Sequence, residues 1–599
     1  MNFAASLDWL TGPILDKELR VSSRRRRNYW LRFVYITLLM IPMAVVFQES
    51  VRSSSRQANT VARLSEAGLA LTATIVWFQF IAAQLIACVM LSTSISDEIS
   101  HRTLGVLMTT PIDSLQIVIG KLLSKLCQLL LIIGISLPLL AVIRVFGGVP
   151  WGFVWTSLCI TLTATLFAGT VSLLFSVWGR HAYGVIVRTV VTLGVLYLLL
   201  PMIALMGLQQ LAGSNAPANM PGVVTIMVLV NPLVALQMQT VELLSPGATA
   251  GVVGSFNWWS HCCFMLGLSA VLLFVAVLTV RRVALREITG QLILDRKKER
   301  RNKTKTKKET SQMSPRQDLR PVRGAPVIWK ELRTPFIKGG RRTKVIALII
   351  TILTLILIYG ISARQGHLRE DFFHTTFVII LLAMGLVSTV ILSATMITRE
   401  KEAQSWPILL TTPLTNAQIL MGKAVGCFRR GLPIWVILAG HLMVFVVIGY
   451  IHPLALIQLA LIMSGAVFLM TGTGLYFSAR FRKTTTAVVA NLAVALFLWA
   501  IVPLMVGVLT DRSAREEVLL YYVTSHPFVQ TSVVIAATGG QANARVNSAS
   551  LIYEWNLPND AGRGPWATTG LLLFNGTLYL GVGAFCAWRA TARVRRDIF

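Results

Sequence analysis

Three stretches of this chain occur twice in the same order, and that duplication limits the fold more than any other feature of the sequence. Gly12-Pro13-Ile14-Leu15-Asp16-Lys17-Glu18-Leu19-Arg20 returns as Ala325-Pro326-Val327-Ile328-Trp329-Lys330-Glu331-Leu332-Arg333, keeping the proline and the Lys-Glu-Leu-Arg string. Glu98, Thr109-Thr110-Pro111, Gln116-Ile117 and Gly120-Lys121 return without a gap as Glu400, Thr411-Thr412-Pro413, Gln418-Ile419 and Gly422-Lys423. Ser176, Arg180 and Pro201 continue in that register to Ser478, Arg482 and Pro503. Collinear matches of this kind mark two copies of one structural unit.

Both copies are too apolar for water. Hydrophobic residues make up 55% of the 599 and charged residues 13%, and mean hydropathy is +0.68, a composition outside the range of soluble domains. A helix needs about 20 apolar residues to cross a bilayer. Charge-poor runs of about that length lie near 33–47, 69–95, 126–146, 153–178, 185–208 and 262–280, then near 345–362, 375–397, 431–450, 454–479, 486–509 and 567–588. The expected fold is therefore all-α: a polytopic membrane protein of about twelve transmembrane helices in two parallel six-helix repeats, with interfacial amphipathic helices. Residues 1–290 form the first six-span unit, 291–320 a basic linker and 321–599 the second unit. Six spans per unit return each unit to its starting side, so the repeats run parallel.

Charge sets the orientation. Between Arg281 and Lys344 there are 21 Lys/Arg and 6 Asp/Glu, half of the formal +30. Arg24 to Arg27, Arg180, Arg188 and Arg589 to Arg596 fall on the same side. By the positive-inside rule that side is cytoplasmic, with both termini and the linker. Loop 210–255 has Glu242 as its only charge, which suits the opposite face. This asymmetry accounts for the basic balance, so nucleic acid is not expected as a partner; the linker instead suits an anionic leaflet. Residues 1–32 carry charged strings ahead of the first apolar run, and no cleavable signal peptide is expected.

The seven cysteines form no Cys-x-x-Cys pair and sit in or beside apolar runs, so neither a disulfide frame nor a metal site is expected. The histidines His181 and His441 read as satisfied interior residues.

The cytoplasmic motifs carry the functional signal. Residues 8–27 have apolar positions at helical spacing and suit a helix lying in the interface. At Thr110-Pro111 and Thr412-Pro413 a hydroxyl residue precedes proline, a pattern that places an N-cap and a first helical position there. The helix expected from Pro111 to Phe146 would outrun the bilayer core, so Gly120-Lys121 falls at the inner interface and 98–110 becomes an exposed element between two spans. Asn231-Pro232 and His526-Pro527 should break re-entrant segments on the other side.

Glu98, Arg102-Thr103-Leu104, Leu107, Thr109-Thr110-Pro111, Gln116-Ile117-Val118 and Gly120-Lys121, with their echo from Glu400 to Lys423, resemble the signature of type-2 ATP-binding-cassette (ABC) exporter permeases. The Pro-x-x-x-Lys-Glu-Leu-Arg helix before each unit fits the same family. The resemblance implies an ATPase-coupling element of Glu98, Arg102, Thr110, Pro111, Gly120, Lys121, Glu400, Thr412, Pro413, Gly422 and Lys423. It implies an interfacial helix carrying Pro13, Lys17, Glu18, Arg20, Pro326, Lys330, Glu331 and Arg333. It also implies a non-enzymatic permease in the cell (inner or plasma) membrane, with ATP and Mg bound by partner ABC ATPase subunits in two copies and with accessory exporter subunits as further partners. No cofactor, metal or catalytic residue is expected on this chain, which lacks Gly-x4-Gly-Lys-Ser/Thr. The second copy departs from the pattern at Ala403 to Trp406, and Pro407 is expected to bend it, so the first element should be the more sensitive to substitution.

Two other classes compete. A secondary transporter would keep ionisable residues near mid-membrane, whereas here Lys125, Arg429 and Arg430 lie near inner span ends. A membrane scaffold or sensor has no need of a duplicated cytoplasmic element. A neighbouring gene for an ATPase would favour the permease.

Overall fold

The computed structural model describes residues 3–24, 26–52, 60–101, 103–107, 109–144, 148–179, 182–201, 204, 220–247, 257–306, 324–333, 341–364, 366–503, 522–539, 551–555 and 564–595. In the first half α1 (Phe3–Ser23) leads into α2 (Arg26–Arg52) and α3 (Thr60–Ser92), followed by the short α4 (Ser96–His101) and α5 (Leu104–Leu107). Then come α6 (Ser114–Arg144), α7 (Trp151–Trp178) and α8 (Ala182–Gly194), which continues into a π turn over Val195–Leu199. α9 (Met220–Val230), α10 (Pro232–Leu244) and α11 (Trp258–Thr306) complete the unit. The second half repeats this order with α12 (Pro326–Arg333), α13 (Arg341–Arg364), α14 (Asp371–Thr395), α15 (Thr398–Glu402), α16 (Trp406–Leu410), α17 (Asn416–Ile448), α18 (Leu454–Arg480) and α19 (Thr484–Leu496). A π turn over Phe497–Ile501 again follows, then α20 (Pro527–Thr538) and α21 (Pro565–Arg593). The fold is all-α; the described residues contain one isolated antiparallel bridge, Ile451 with Gly539.

Among the described residues ten helices are long and apolar enough to cross a membrane, against about twelve expected. The other two runs appear as shorter apolar helices, Gly184–Leu199 and Thr351–Arg364. Most of the outer end expected for the first of these, beyond residue 201, lies outside the described residues. The break at Asn231-Pro232 is present: Val224–Val230 and Pro232–Leu244 meet at 114°. Asn231 makes it by capping α10, its Oδ1 accepting from Leu233 N at 2.9 Å and Val234 N at 3.4 Å, with proline at a position that needs no N–H.

Large apolar side chains such as Val447, Phe274 and Trp588 point outwards uncovered, a surface suited to lipid. Inside, α18 and α21 approach backbone to backbone: a Cβ on Gly472 would stand 2.1 Å from Gly583 O, so only glycine permits the contact, as small residues do between membrane helices. The halves meet along the second and fifth helices of each, where Val89, Ile186, Ile391, Ala394, Ala487 and Val488 form one apolar cluster.

Candidate functional site

The element between the second and third spans of each half is built from short helices closed by hydroxyl groups. At the end of α5 Thr110 Oγ1 donates to Leu107 O at 2.5 Å, and at the end of α16 Thr412 Oγ1 donates to Leu409 O at 2.5 Å. These threonines therefore finish the preceding turn and do not begin the next helix, contrary to the reading of Thr-Pro as a start. The long helices begin at Ser114 and Asn416. Thr415 caps the second, with Oγ1 accepting from Gln418 N at 3.2 Å and Gln418 Oε1 accepting from Thr415 N at 3.1 Å, a reciprocal capping box. In the first half Gln116 Oε1 likewise accepts from Asp113 N at 3.2 Å. The threonine hydroxyl satisfies a carbonyl that the short helix would otherwise leave open, and the Thr-x-x-Gln spacing was the better start signal. Pro407 does not bend its element either: it stands in the first turn of α16, where its missing N–H costs nothing.

Two of the repeated stretches converge. In the second half Lys423 Nζ lies 2.5 Å from Glu400 Oε1 and 2.9 Å from Glu331 Oε1, while Arg430 Nη2 lies 2.7 Å from Glu331 Oε2. Arg429 Nη1 donates to Glu331 O at 2.7 Å. The side chains of Lys423 and Glu331 are only 2% and 4% exposed. Burial alone would raise the Glu331 carboxyl, but Lys423, Arg430 and Arg399 outweigh it and hold the group below the usual carboxylate range. An isolated charge in such a place would cost several kcal/mol, about 3–5 when one partner of a buried pair is removed; here two carboxylates answer two cations.

Gly422 explains why the motif reads Gly-Lys. A Cβ there would stand 2.5 Å from Val327 Cγ1, and one at Gly426 would stand 3.0 Å from Glu331 Cβ. The missing side chains let α12 sink onto α17 until Glu331 reaches Lys423.

The first half keeps the plan with looser joints. Lys121 Nζ lies 2.8 Å from Glu98 Oε1, and Thr103 Oγ1 donates to the same carboxylate. Glu18 pairs instead with Lys125 at 3.6 Å. Gly120 is buried beside Lys121. Pro13 sits inside α1, whereas Pro326 starts α12. Lys17 and Pro111 are exposed, as is Pro413. Arg20 bonds to Asp16 at 2.7 Å on an exposed face, an interaction of small worth. Lys330 is exposed 3.6 Å from Glu400, and Arg333 stacks on Trp329 at 4.1 Å. Arg102 lies outside the described residues.

Sequence reasoning passed over Lys401 and Glu402. Lys401 Nζ donates to Ala479 O and Phe481 O, at the C-terminal end of α18. Glu402 Oε1 accepts from Thr484 N at 2.7 Å, at the N-terminal end of α19. Cation and anion each meet the helix end of opposite partial charge. Burial raises the Glu402 carboxyl, with Thr484 opposing that rise and Asp97 of the other half adding to it. The register puts Ile99 and Ser100 at the equivalent places, so this joint belongs to the second half alone, and a charged pair interrupting the repeat was its only signal. Arg595 adds another, donating to Leu414 O at 3.2 Å and Asn416 Oδ1 at 3.0 Å.

His181 lies outside the described residues. His441 is a satisfied interior residue, bonded to Tyr359 Oη at 2.8 Å and 3.4 Å from His374 Nδ1. Among the described residues no three His, Cys, Asp or Glu side chains converge to hold a metal. The arrangement offers mechanical linkage: an exposed inter-span element joined by buried ion pairs to the helix that precedes the unit and to a span.

Residues 13–285 and 303–556 each match the model of one protein family, described as ABC-2 family transporter protein. A comparison with curated proteins finds no match.

Proposed function

The chain belongs to the ABC-2 transporter family, and from that membership we propose that it is the membrane-spanning permease of an ATP-driven exporter, working with separate ATPase subunits. The observation that carries this reading is the buried ammonium of Lys423, held by Glu331 of the interfacial helix and Glu400 of the cytoplasmic element. A force applied to α15 and α16 reaches α12 and α17 through that joint without crossing a flexible loop. Two such elements, one per half, suit two ATPase subunits.

ATP and Mg belong on those partners. Gly120-Lys121 and Gly422-Lys423 lie inside long helices with their ammonium groups spent on carboxylates, and neither is followed by the hydroxyl residue of a phosphate loop. The six-span units 1–290 and 321–599, joined by linker 291–320, place both termini and the linker in the cytoplasm, and accessory subunits would meet the opposite face. A cell membrane location, inner or plasma, follows from the same reading.

The test is biochemical. Purified alone, the chain should hydrolyse no ATP, and hydrolysis should appear only with its ATPase. Robust hydrolysis by a preparation free of other ATPases would overturn the division of labour. A cysteine at Ser311 should resist labelling from outside intact cells; labelling there would invert the topology.

A further inference from the structure

Both fifth helices carry a π turn at the same register, Val195–Leu199 and Phe497–Ile501, and helical residues follow it at 200–201 and 502–503. A π turn moves bonding from the fourth to the fifth residue and leaves backbone carbonyls short of an internal partner. In the first half Asn231 Nδ2 supplies one, 3.0 Å from Tyr197 O and 3.4 Å from Leu196 O. In the second half His526 Nε2 lies 2.7 Å from Trp499 O, and Tyr522 Oη donates to Leu498 O. Leu196-Tyr197 and Leu498-Trp499 are the same two positions of the repeat. Different side chains thus satisfy the same pair of carbonyls, and in each half a donor is the residue immediately before the proline that starts the outer helix.

The turns also occupy the seam. Leu199 is buried in a cluster with Phe373, Phe377 and Leu381 of the other half, with Val195 and Leu198 packed on it. The second π turn packs on α2 of the first half. Since Thr484 at the start of α19 touches Glu402 of the cytoplasmic element, the π turn lies at the far end of that helix, about 20 Å away at 1.5 Å per residue. Trp499 Nε1 donates to Tyr579 Oη at 3.3 Å and Tyr579 donates to Ser525 O at 2.8 Å, closing a ring between the fifth helix, the last span and the outer segment.

We infer that the paired π turns are the outer hinges at which the fifth helices bend when the two halves part, and that Asn231, Tyr522 and His526 are positioning residues that hold them closed. This rests on the permease reading. A span bends where its ladder is already interrupted, and here both interruptions sit where the halves touch and are pinned from outside by one donor group each or two.

Amide exchange of the full-length protein in lipid nanodiscs, with and without its co-purified ATPase and ATP, decides it. Asn231→Ala should speed exchange in 194–201, and His526→Phe in 496–503, by roughly three- to tenfold, the effect of one lost buried hydrogen bond. The inner halves, 184–190 and 484–490, should stay unchanged, and His526→Asn should restore the closed rate. In the wild-type complex ATP should produce the same local increase. Variants that exchange like the wild type, or faster along whole helices, overturn the latch, and an assembled complex whose π turns ignore ATP overturns the hinge. Failure of any ATPase to associate would instead count against the permease reading, while the ATP-free comparison still judges the latch.

Discussion

Lys423 donates to Glu331 across 2.9 Å although α13, α14 and the short α15–α16 element separate their helices in sequence. The bond fixes the interfacial helix to the third span, and Glu400 joins it from a third direction.

Removing the ammonium should cost more than removing the whole network. Lys423→Met leaves two buried carboxylates facing each other, with Arg430 and Lys330 as the remaining cations, and should destabilise by about 3–5 kcal/mol. Lys121→Met should cost less, because Glu98 is more exposed and keeps Thr103. Thermal unfolding of both variants in one detergent gives the comparison, and equal losses would contradict the assigned asymmetry.

Gly422→Ala places a methyl group inside the volume of Val327. Overpacking of this kind costs about 1–3 kcal/mol, and Val327→Ala should recover most of it. Recovery in the double variant distinguishes the helix contact from a propensity effect, since alanine favours helix in its own right.

Acid should act in opposite directions on the two second-half joints. Glu331 is held below the usual carboxylate range, so its contribution is complete above its unfolded pKa and is lost as pH falls through the depressed folded value. Glu402 is raised by burial, so its contribution is complete at low pH and is lost as pH rises through the folded value. Lowering pH from neutral towards 5 should slow intrinsic-corrected amide exchange in 484–490 while 326–333 stays constant. Below about 4, the ordinary carboxylate range, 326–333 should loosen. Glu402→Gln should abolish the first change alone.

Much of this was legible in the sequence because repetition exposes what pattern alone leaves ambiguous. The duplication singled out Glu98, Lys121, Glu400 and Lys423 as kept positions without pairing them, and the Lys-Glu-Leu-Arg strings marked α1 and α12. Helix starts were misread because Thr110 and Thr412 have two competing hydrogen-bonding options, and the backward one wins. The apolar run of the first fifth helix continues past residue 201 into residues outside those described, and the π turn inside it has no residue signature of its own. Lys401 and Glu402 escaped because they depart from the repeat. The expectation that the first element would be more sensitive rested on the altered run Ala403 to Trp406 and on Pro407 as a bend; Pro407 instead stands in the first turn of α16, and the second-half joint is the more deeply buried.

The most direct test of the coupling claim separates the docking face from the buried joint. Ile408 is 70% exposed on α16, so Ile408→Asp alters the face an ATPase would meet and leaves Glu331, Glu400 and Lys423 intact. Pulldown of the ATPase, with ATP hydrolysis by the assembled complex, should be compared in Ile408→Asp, Glu400→Lys and the Glu98→Lys/Glu400→Lys double variant, each at wild-type abundance in the membrane. The account predicts weakened association in Ile408→Asp, and association or hydrolysis lost in the double variant more than in Glu400→Lys. Wild-type association and hydrolysis in all three would contradict it.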